Sequence, residues 1–316
     1  MRSLVFVLLA GCSSFAAPDA RLPEARFNGR WDITVLGEPR GRAWWLEIEG
    51  AGTPNLKGKF VGFPGGDLNE IRKIALSNGE LRFTFDREPQ GGKGEAIHQV
   101  YTAHLAGEKL EGTFEAGNRQ LKWEAVRAPE NPDKDDGSWK PGKPVELFNH
   151  KNLEGWKGVV PGNELGWSVE DGLLKSAGGA SNLETGKAFW NYDLRVEYKV
   201  GPHSNSGIGL RGRYEVQILD DGDRALDKHS NGALYSRIAP AVRASKPAGE
   251  WQTVDVHLVG RNVRIVLNGQ KIVEGVIEGL TAIASDPNEG RPGPIVLQGD
   301  HGPVEFRVVR LTPLRQ

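Results

Sequence analysis

Glycine and proline interrupt this chain so often that a long helix has nowhere to run: 42 of its 316 residues are Gly and 19 are Pro. In a helix interior glycine costs about 1 kcal/mol relative to alanine and proline about 3 kcal/mol. Between the interruptions lie short runs that alternate apolar and polar residues. Leu81-Arg82-Phe83-Thr84-Phe85 follows the turn Asn78-Gly79, and Asn268-Gly269 joins Arg264–Leu267 to Lys271–Val273. Alternation sends successive side chains to opposite faces of a strand, and Asn-Gly is a strong hairpin signal. No segment sustains a 3.6-residue period. The chain is expected to be all-β.

At 316 residues about two domains are expected. Residues 1–20 read as an export signal: Arg2 precedes an apolar run, Leu4 to Ala10, that is too short to span a bilayer. Leu9-Ala10-Gly11-Cys12 resembles the lipobox of bacterial lipoproteins, in which the cysteine becomes the acylated amino terminus. Ordinary cleavage near Ala16-Ala17 is the alternative. The expectation is an exported lipoprotein, anchored through Cys12 and facing the periplasm or cell surface, with no other membrane contact. Cys12 is the single cysteine, so no disulfide framework or internal redox pair can form.

Residues 21–128 carry short strands at the spacing of a small antiparallel barrel or sandwich. The opening Gly29-Arg30-Trp31 is loosely similar to lipocalin-type barrels, where such a tryptophan plugs one end. Residues 129–144 hold four prolines and the run Asp133-Lys134-Asp135-Asp136, which reads as an exposed linker. Residues 145–316 return to a strand pattern that suits a two-sheet sandwich. The picture is two β domains on a tether. Forty Lys and Arg against 41 Asp and Glu leave a net charge of −1, without the basic excess a nucleic-acid binder shows.

The second unit carries an ordered set of motifs: Glu146-Leu147-Phe148-Asn149, Leu153-Glu154-Gly155-Trp156, Trp167-Ser168-Val169-Glu170-Asp171-Gly172, Asn205-Ser206-Gly207-Ile208-Gly209-Leu210-Arg211-Gly212, Tyr214-Glu215-Val216-Gln217-Ile218, Gly232-Ala233-Leu234-Tyr235, Ser245-Lys246-Pro247-Ala248-Gly249-Glu250-Trp251 and Leu297-Gln298-Gly299-Asp300-His301-Gly302. Over Val145–Leu314 this set resembles the bacterial 3-keto-disaccharide hydrolase family, also described as 3-keto-glucoside 1,2-lyases and 3-keto-2-hydroxy-glucal hydratases. The resemblance implies a concanavalin-like jelly roll and a sugar substrate whose C3 hydroxyl is already a ketone. An upstream sugar C3-dehydrogenase is then implied as well. The chain departs from the family at Ile277–Arg291, where Ala282-Ile283-Ala284-Ser285 replaces part of a Gly-rich acidic loop.

Strand parity gathers candidate residues independently. Val216 and Ile218 share one face of their strand, leaving Glu215 and Gln217 on the other; Ile208 and Leu210 likewise leave Asn205, Gly207, Gly209 and Arg211. Gln298 and Asp300 oppose Ile295 and Leu297. Such a face is either a sugar site or the solvated side of an antiparallel sheet.

A ketone at C3 acidifies the C2 hydrogen, so the chemistry needs a base, a group to steady the enolate oxygen, and an acid for the leaving oxygen. The candidates are Glu215 as base, His301 as acid or second base, and Arg211 or Lys246 at the enolate. Asn205, Gln217, Gln298, Asp300 and the ring of Trp251 are the candidates for holding substrate. No cofactor is required, although a divalent metal on Glu215, Asp220 and His301 is an alternative to the cationic side chain. Two other functions compete. A retaining glycosidase needs two carboxylates about 5 Å apart, and Gln at 217 counts against it. A non-catalytic carbohydrate-binding lipoprotein would need no acid and base at all.

Overall fold

A computed structural model shows an all-β protein and describes residues 23–37, 43–62, 66–88, 95–222, 224–281, 283–284 and 286–316. Cys12 and residues 1–20, where an export signal is expected, lie outside the described residues. Within them there is no α-helix, and a 3-10 turn at Pro23–Phe27 leads into the first strand.

Nine strands form the amino-terminal sheet: β1 (Gly29–Val35), β2 (Ala43–Glu49), β3 (Lys57–Val61), β4 (Asn69–Glu70), β5 (Lys73–Ser77), β6 (Glu80–Arg87), β7 (Ile97–Ala106), β8 (Lys109–Ala116) and β9 (Arg119–Arg127). Their order is β4-β3-β2-β1-β9-β8-β7-β6-β5. The sheet curls until Phe60 of β3 meets Phe83 of β6 and Tyr101 of β7, at ring-centroid distances of 5.1 and 4.7 Å. Aromatic side chains fill the interior. Trp31 is buried near its start, with its indole N–H on the Phe27 carbonyl and the Arg127 guanidinium 3.8 Å from its ring.

The remaining strands are β10 (Lys140–Pro141), β11 (Val145–Glu146), β12 (Trp156–Gly158), β13 (Trp167–Glu170), β14 (Leu173–Ser176), β15 (Leu183–Thr185), β16 (Tyr192–Val200), β17 (Asn205–Leu210), β18 (Tyr214–Leu219), β19 (Gln252–Val259), β20 (Asn262–Leu267), β21 (Gln270–Val276), β22 (Val296–Leu297) and β23 (Val304–Arg315). A large sheet runs β13-β14-β23-β16-β19-β20-β21, with β10 and β11 also on β23, and a smaller one runs β12-β15-β22-β17-β18. Leu194, Val196, Val254 and Val256 of the large sheet share one buried core with Ile208, Leu210, Val216 and Ile218 of the small one. This is a jelly-roll-like sandwich with period-2 strands on both layers.

The two sheet systems do not hang apart on a tether. Strand β2 is buried on both of its faces. Parity turns Trp44 into the amino-terminal core and its neighbour Trp45 into the core of the sandwich. Trp45 lies against Gly279, where an added β-carbon would stand 2.9 Å from the indole, so a side chain at 279 would push the two systems apart. Deeper in the contact, Asp32 of β1 accepts the backbone N–H of Glu289, and Tyr214 donates to the Glu289 carboxyl at 2.7 Å. Burial, then repulsion from Glu289, pushes Asp32 up to about 8, so this pair retains a proton at neutral pH. The linker is largely exposed but tied down. The Asp133 carboxylate accepts the Trp190 indole and the Asn191 amide, each at 2.7 Å, and Asp135 lies 3.3 Å from His257.

Candidate functional site

The site grows out of one hairpin. Strands β17 and β18 pair with Gly207 opposite Gln217 and Gly209 opposite Glu215. Because Ile208, Leu210, Val216 and Ile218 turn into the sandwich, Glu215 and Gln217 must turn away from it, as parity predicts. The face they occupy is not solvated: Glu215 is 2%, Gln217 3% and Gln298 9% exposed. A segment beside β18, with Leu234 bridged to Val216, closes one side. From above, Ile283 of the 277–291 loop approaches Gly209 and Val296.

Glycine at 207 is required by the acid beside it. A β-carbon there would stand 2.3 Å from Glu215 Oε1, so the missing side chain makes room for the carboxyl. The space over Gly209 is taken by Val296 and Ile283. Thus the hairpin holds one acid in a dry slot of its own making.

Burial dominates the behaviour of that acid. Desolvation pushes Glu215 up to about 8, with the charge of His301 working to lower it and the Asp300 carboxylate to raise it. His301 and Asp300 are a pair, Nδ1 to Oδ1 at 2.7 Å. The turn that carries them is set by Asn182, whose side-chain oxygen accepts the Gly299 N–H at 2.8 Å and the Asp300 N–H at 3.4 Å. Beyond Asp300 opens a cleft of about 320 Å³ lined by Val159, Val160, Asn163, Ser181 and Asn182.

Around Glu215 the side-chain oxygens of Asn205, Gln217 and Gln298 are buried and accept no hydrogen bond. An acceptor left dry and unpaired costs about 1–3 kcal/mol. Hydroxyl donors from a bound sugar would satisfy all three.

The structure gathers Glu215, Gln217, Gln298, Asn205, Asp300 and His301 on one side of the small sheet, and it takes three other candidates elsewhere. Strand β17 ends at Leu210, so Arg211 enters a turn with φ of +52° and parity no longer governs it. Its guanidinium is sealed inside, donating to the carbonyls of Trp190 and Gly260 and to Asn191 Oδ1 at 2.6, 2.7 and 2.8 Å. Those bonds hold the turn and keep the guanidinium buried in the protein interior. Lys246 turns back onto its own loop, its Nζ 3.0 Å from the Trp251 carbonyl. The Trp251 ring lies between Arg307 and Lys199, at 4.5 and 5.2 Å, on the outer face of the large sheet and so across the sandwich from Glu215. Nor do Glu215, Asp220 and His301 converge as metal ligands. Asp220 follows the end of β18 and accepts the His203 N–H, and no group of three or more His, Cys, Asp or Glu among the described residues could hold a metal ion.

Sequence reasoning missed the side chains that close the rim. Tyr235 stands beside Glu215, its backbone N–H on the Glu215 carbonyl at 2.9 Å. His229 meets its ring edge-on at 5.0 Å, and Asp67 of the amino-terminal sheet system holds His229 Nε2 at 2.8 Å. Gly232-Ala233-Leu234-Tyr235 was legible as a motif, but only the bridge between Leu234 and Val216 reveals which way its tyrosine faces. Nothing in the sequence connects Asp67 with His229.

A buried acid beside a His-Asp pair, set on the outer face of a jelly-roll-like sheet, defines a candidate site for a polar ligand. Residues 143–312 match the 3-keto-alpha-glucoside-1,2-lyase-like domain, and the chain belongs to that family. It is 27% identical over 169 residues to a 3-keto-disaccharide hydrolase of Bacteroides thetaiotaomicron, a match that covers 41% of this chain and 57% of that protein. A crystal structure assigned to the glycosyl hydrolases, from Parabacteroides distasonis, covers 60% of this chain and 100% of its own at 22% identity and a TM-score of 0.48. A laminarinase of Flavobacterium sp. covers 55% of this chain and 100% of its own at 12% identity and a TM-score of 0.37.

Proposed function

We propose that the protein cleaves glycosides whose C3 hydroxyl has been oxidised to a ketone, by removing the C2 proton, eliminating the glycosidic oxygen and adding water to the product. The observation that carries this reading is the buried carboxyl of Glu215, on a sheet face that also holds three amide oxygens without partners. Membership of the family supports the substrate class.

The chemistry follows from the setting. A desolvated carboxylate is a stronger base than one in water, and a C–H acidified by a neighbouring ketone needs such a base. When Glu215 takes the C2 proton, the C–H electrons form the C2–C3 double bond and the carbonyl pair moves to oxygen. Collapse of that enolate restores the ketone, forms the C1–C2 double bond and expels the C1 oxygen, which takes a proton from His301. Asp300 holds the imidazole Nδ1 and so orients the ring for that transfer. Water added across the new double bond completes net hydrolysis. The three amide oxygens would accept sugar hydroxyls and fix the ring over Glu215.

A second reading keeps some support from one observation: an acid raised to about 8 with another carboxylate, Asp300, in its field is also what direct glycoside hydrolysis employs. Incubation with a 3-keto-glucoside and with its unoxidised parent, followed by NMR in D2O, separates the two. Deuterium at C2 of the released 3-keto-glucose, from the keto substrate alone, is the expected result. Cleavage of the parent sugar would replace this reading with direct hydrolysis. Binding of either sugar without turnover would leave a carbohydrate-binding protein. We further propose that export and acylation at Cys12 put the site outside the cytoplasm, downstream of an enzyme that oxidises C3; the Leu9–Cys12 motif supports it.

A further inference from the structure

The elimination demands a group that steadies the oxygen on which negative charge collects, and neither Arg211 nor Lys246 is there to supply it. Arg237, whose charge acts on Asp67 and Tyr235, is occupied, donating from all three guanidinium nitrogens to the carbonyls of Ser236, Glu278 and Leu280. The Tyr235 hydroxyl is a donor at the rim. In the bridge between Leu234 and Val216, Leu234 follows Val216 into the core, so Tyr235 shares the outer face with Glu215. Directly opposed residues on one face of an antiparallel pair have β-carbons about 5 Å apart. The phenol is half-buried, and no hydrogen bond engages its hydroxyl among the described residues.

We propose that Tyr235 is a catalytic residue whose hydroxyl donates to the substrate C3 oxygen as the enolate forms, and that Asp67 of the amino-terminal sheet system is a positioning residue acting through His229. This rests on the elimination reading above. The hydroxyl lies in the field of two carboxylates, Asp67 and Glu215. Burial, then those two charges, pushes it up to about 12, so the proton stays on the phenol and is available to donate. Two contacts fix the ring: the backbone bond to Glu215 and the edge of His229. His229 in turn is held by Asp67 at 2.8 Å, while the neighbouring Leu68 N–H reaches Ser236 Oγ at 3.2 Å. Burial would raise Asp67, yet the hydrogen bonds from Ser236 and His229 hold it below its ordinary value, so the anion stays in place. The amino-terminal sheet system therefore completes the site and is not an appendage to it.

The test is a double-mutant cycle on the full-length protein with a 3-keto-glucoside as substrate. Tyr235→Phe keeps the ring against His229 and removes only the hydroxyl; kcat should fall about 10²–10³-fold with KM within about 2-fold of wild type, the signature of a contact made in the transition state. Asp67→Asn should lower kcat about 10-fold alone and not at all in the Tyr235→Phe background, because both changes remove one function. Asp67→Glu should restore part of the loss. Thermal melts on each variant distinguish a folding defect from the expected effect. A kcat for Tyr235→Phe within about 2-fold of wild type overturns the role of the hydroxyl. Equal losses from Asp67→Asn in both backgrounds overturn the positioning role. Absence of wild-type turnover of the keto substrate would instead overturn the elimination reading, so the two failures cannot be confused.

Discussion

The outer faces of the two sheets in the sandwich are built on opposite principles. On the large sheet long charged side chains find counter-charges across neighbouring strands: Arg195 meets Asp255 at 3.0 Å, Lys199 meets Glu305 at 2.7 Å and Arg307 meets Glu197 at 2.6 Å. These residues keep part of their surface in water. On the part of the small sheet formed by β17, β18 and the end of β22 the outward residues are dry, and the side-chain oxygens of Asn205, Gln217 and Gln298 are left without partners. A sheet that only needs to stay soluble saturates its outer face and exposes it. One that waits for a ligand covers its face and leaves it unsatisfied, at a cost in stability that the ligand repays.

The sharpest way to break this comparison is to remove the acid. Glu215→Gln should lower turnover of a 3-keto-glucoside by about 10²–10⁴-fold, the range of general-base catalysis. The melting temperature should hold or rise, since a buried ionisable group becomes a neutral amide of the same shape. Kinetics and differential scanning calorimetry on the same preparation check it. Loss of activity together with a collapse of the melting transition would make Glu215 a structural residue and dissolve the contrast.

A second prediction concerns pH. The base form of Glu215 appears only as pH climbs through about 8, so kcat/KM should rise as pH approaches that value from below. Asp300 raises Glu215, and Asp300→Asn should move the inflection down; His301 lowers it, and His301→Gln should move it up. Stability runs the other way. An acid whose folded value lies above its unfolded one stabilises fully below about 4.5 and loses that contribution as pH rises through about 8. Unfolding midpoints between pH 7 and 9 should therefore fall less in Glu215→Gln than in wild type.

How much of this was legible in the chain depends on how locally each residue is determined. Alternation along Tyr214–Leu219 and Asn205–Leu210 fixes which side chains leave the core, so Glu215, Gln217 and Asn205 fall on one face by parity alone. Arg211 escapes that rule because it lies one residue past the end of its strand, where a positive φ resets the direction. What Trp251 faces is decided by β16 and β23, more than fifty residues away on either side. Tyr235 needed a single isolated bridge, and Asp67 needed the docking of one sheet system on the other. Burial of the site is the least legible property of all, since loops with no periodicity supply the cover.

A smaller effect should come from the unpaired amides. Gln217→Leu removes a buried acceptor without a partner and replaces it with an apolar group of similar size, which should stabilise the fold by about 1 kcal/mol. The same change removes a contact to a sugar hydroxyl, so KM should rise about 10-fold while kcat changes little. Denaturant titration and steady-state kinetics read the two signs. A variant that is both less stable and unchanged in KM would place the amide in the structural network and not in the ligand's.

The smallest effect belongs to the saturated face. Arg195 and Asp255 are each a little over 40% exposed, and an ion pair in that setting contributes less than about 1 kcal/mol once solvent screening and side-chain entropy are counted. Arg195→Ala should therefore shift the unfolding free energy by less than about 1 kcal/mol, and the shift should shrink further in 1 M salt. Turnover should be indistinguishable from wild type, because Arg195 points away from the small sheet. The value of this measurement lies in what the opposite result would mean. If kcat fell with Arg195→Ala, the large-sheet face would be coupled to the chemistry on the other side of the core, and pairing of charges could no longer be read as a sign that a surface is functionally idle.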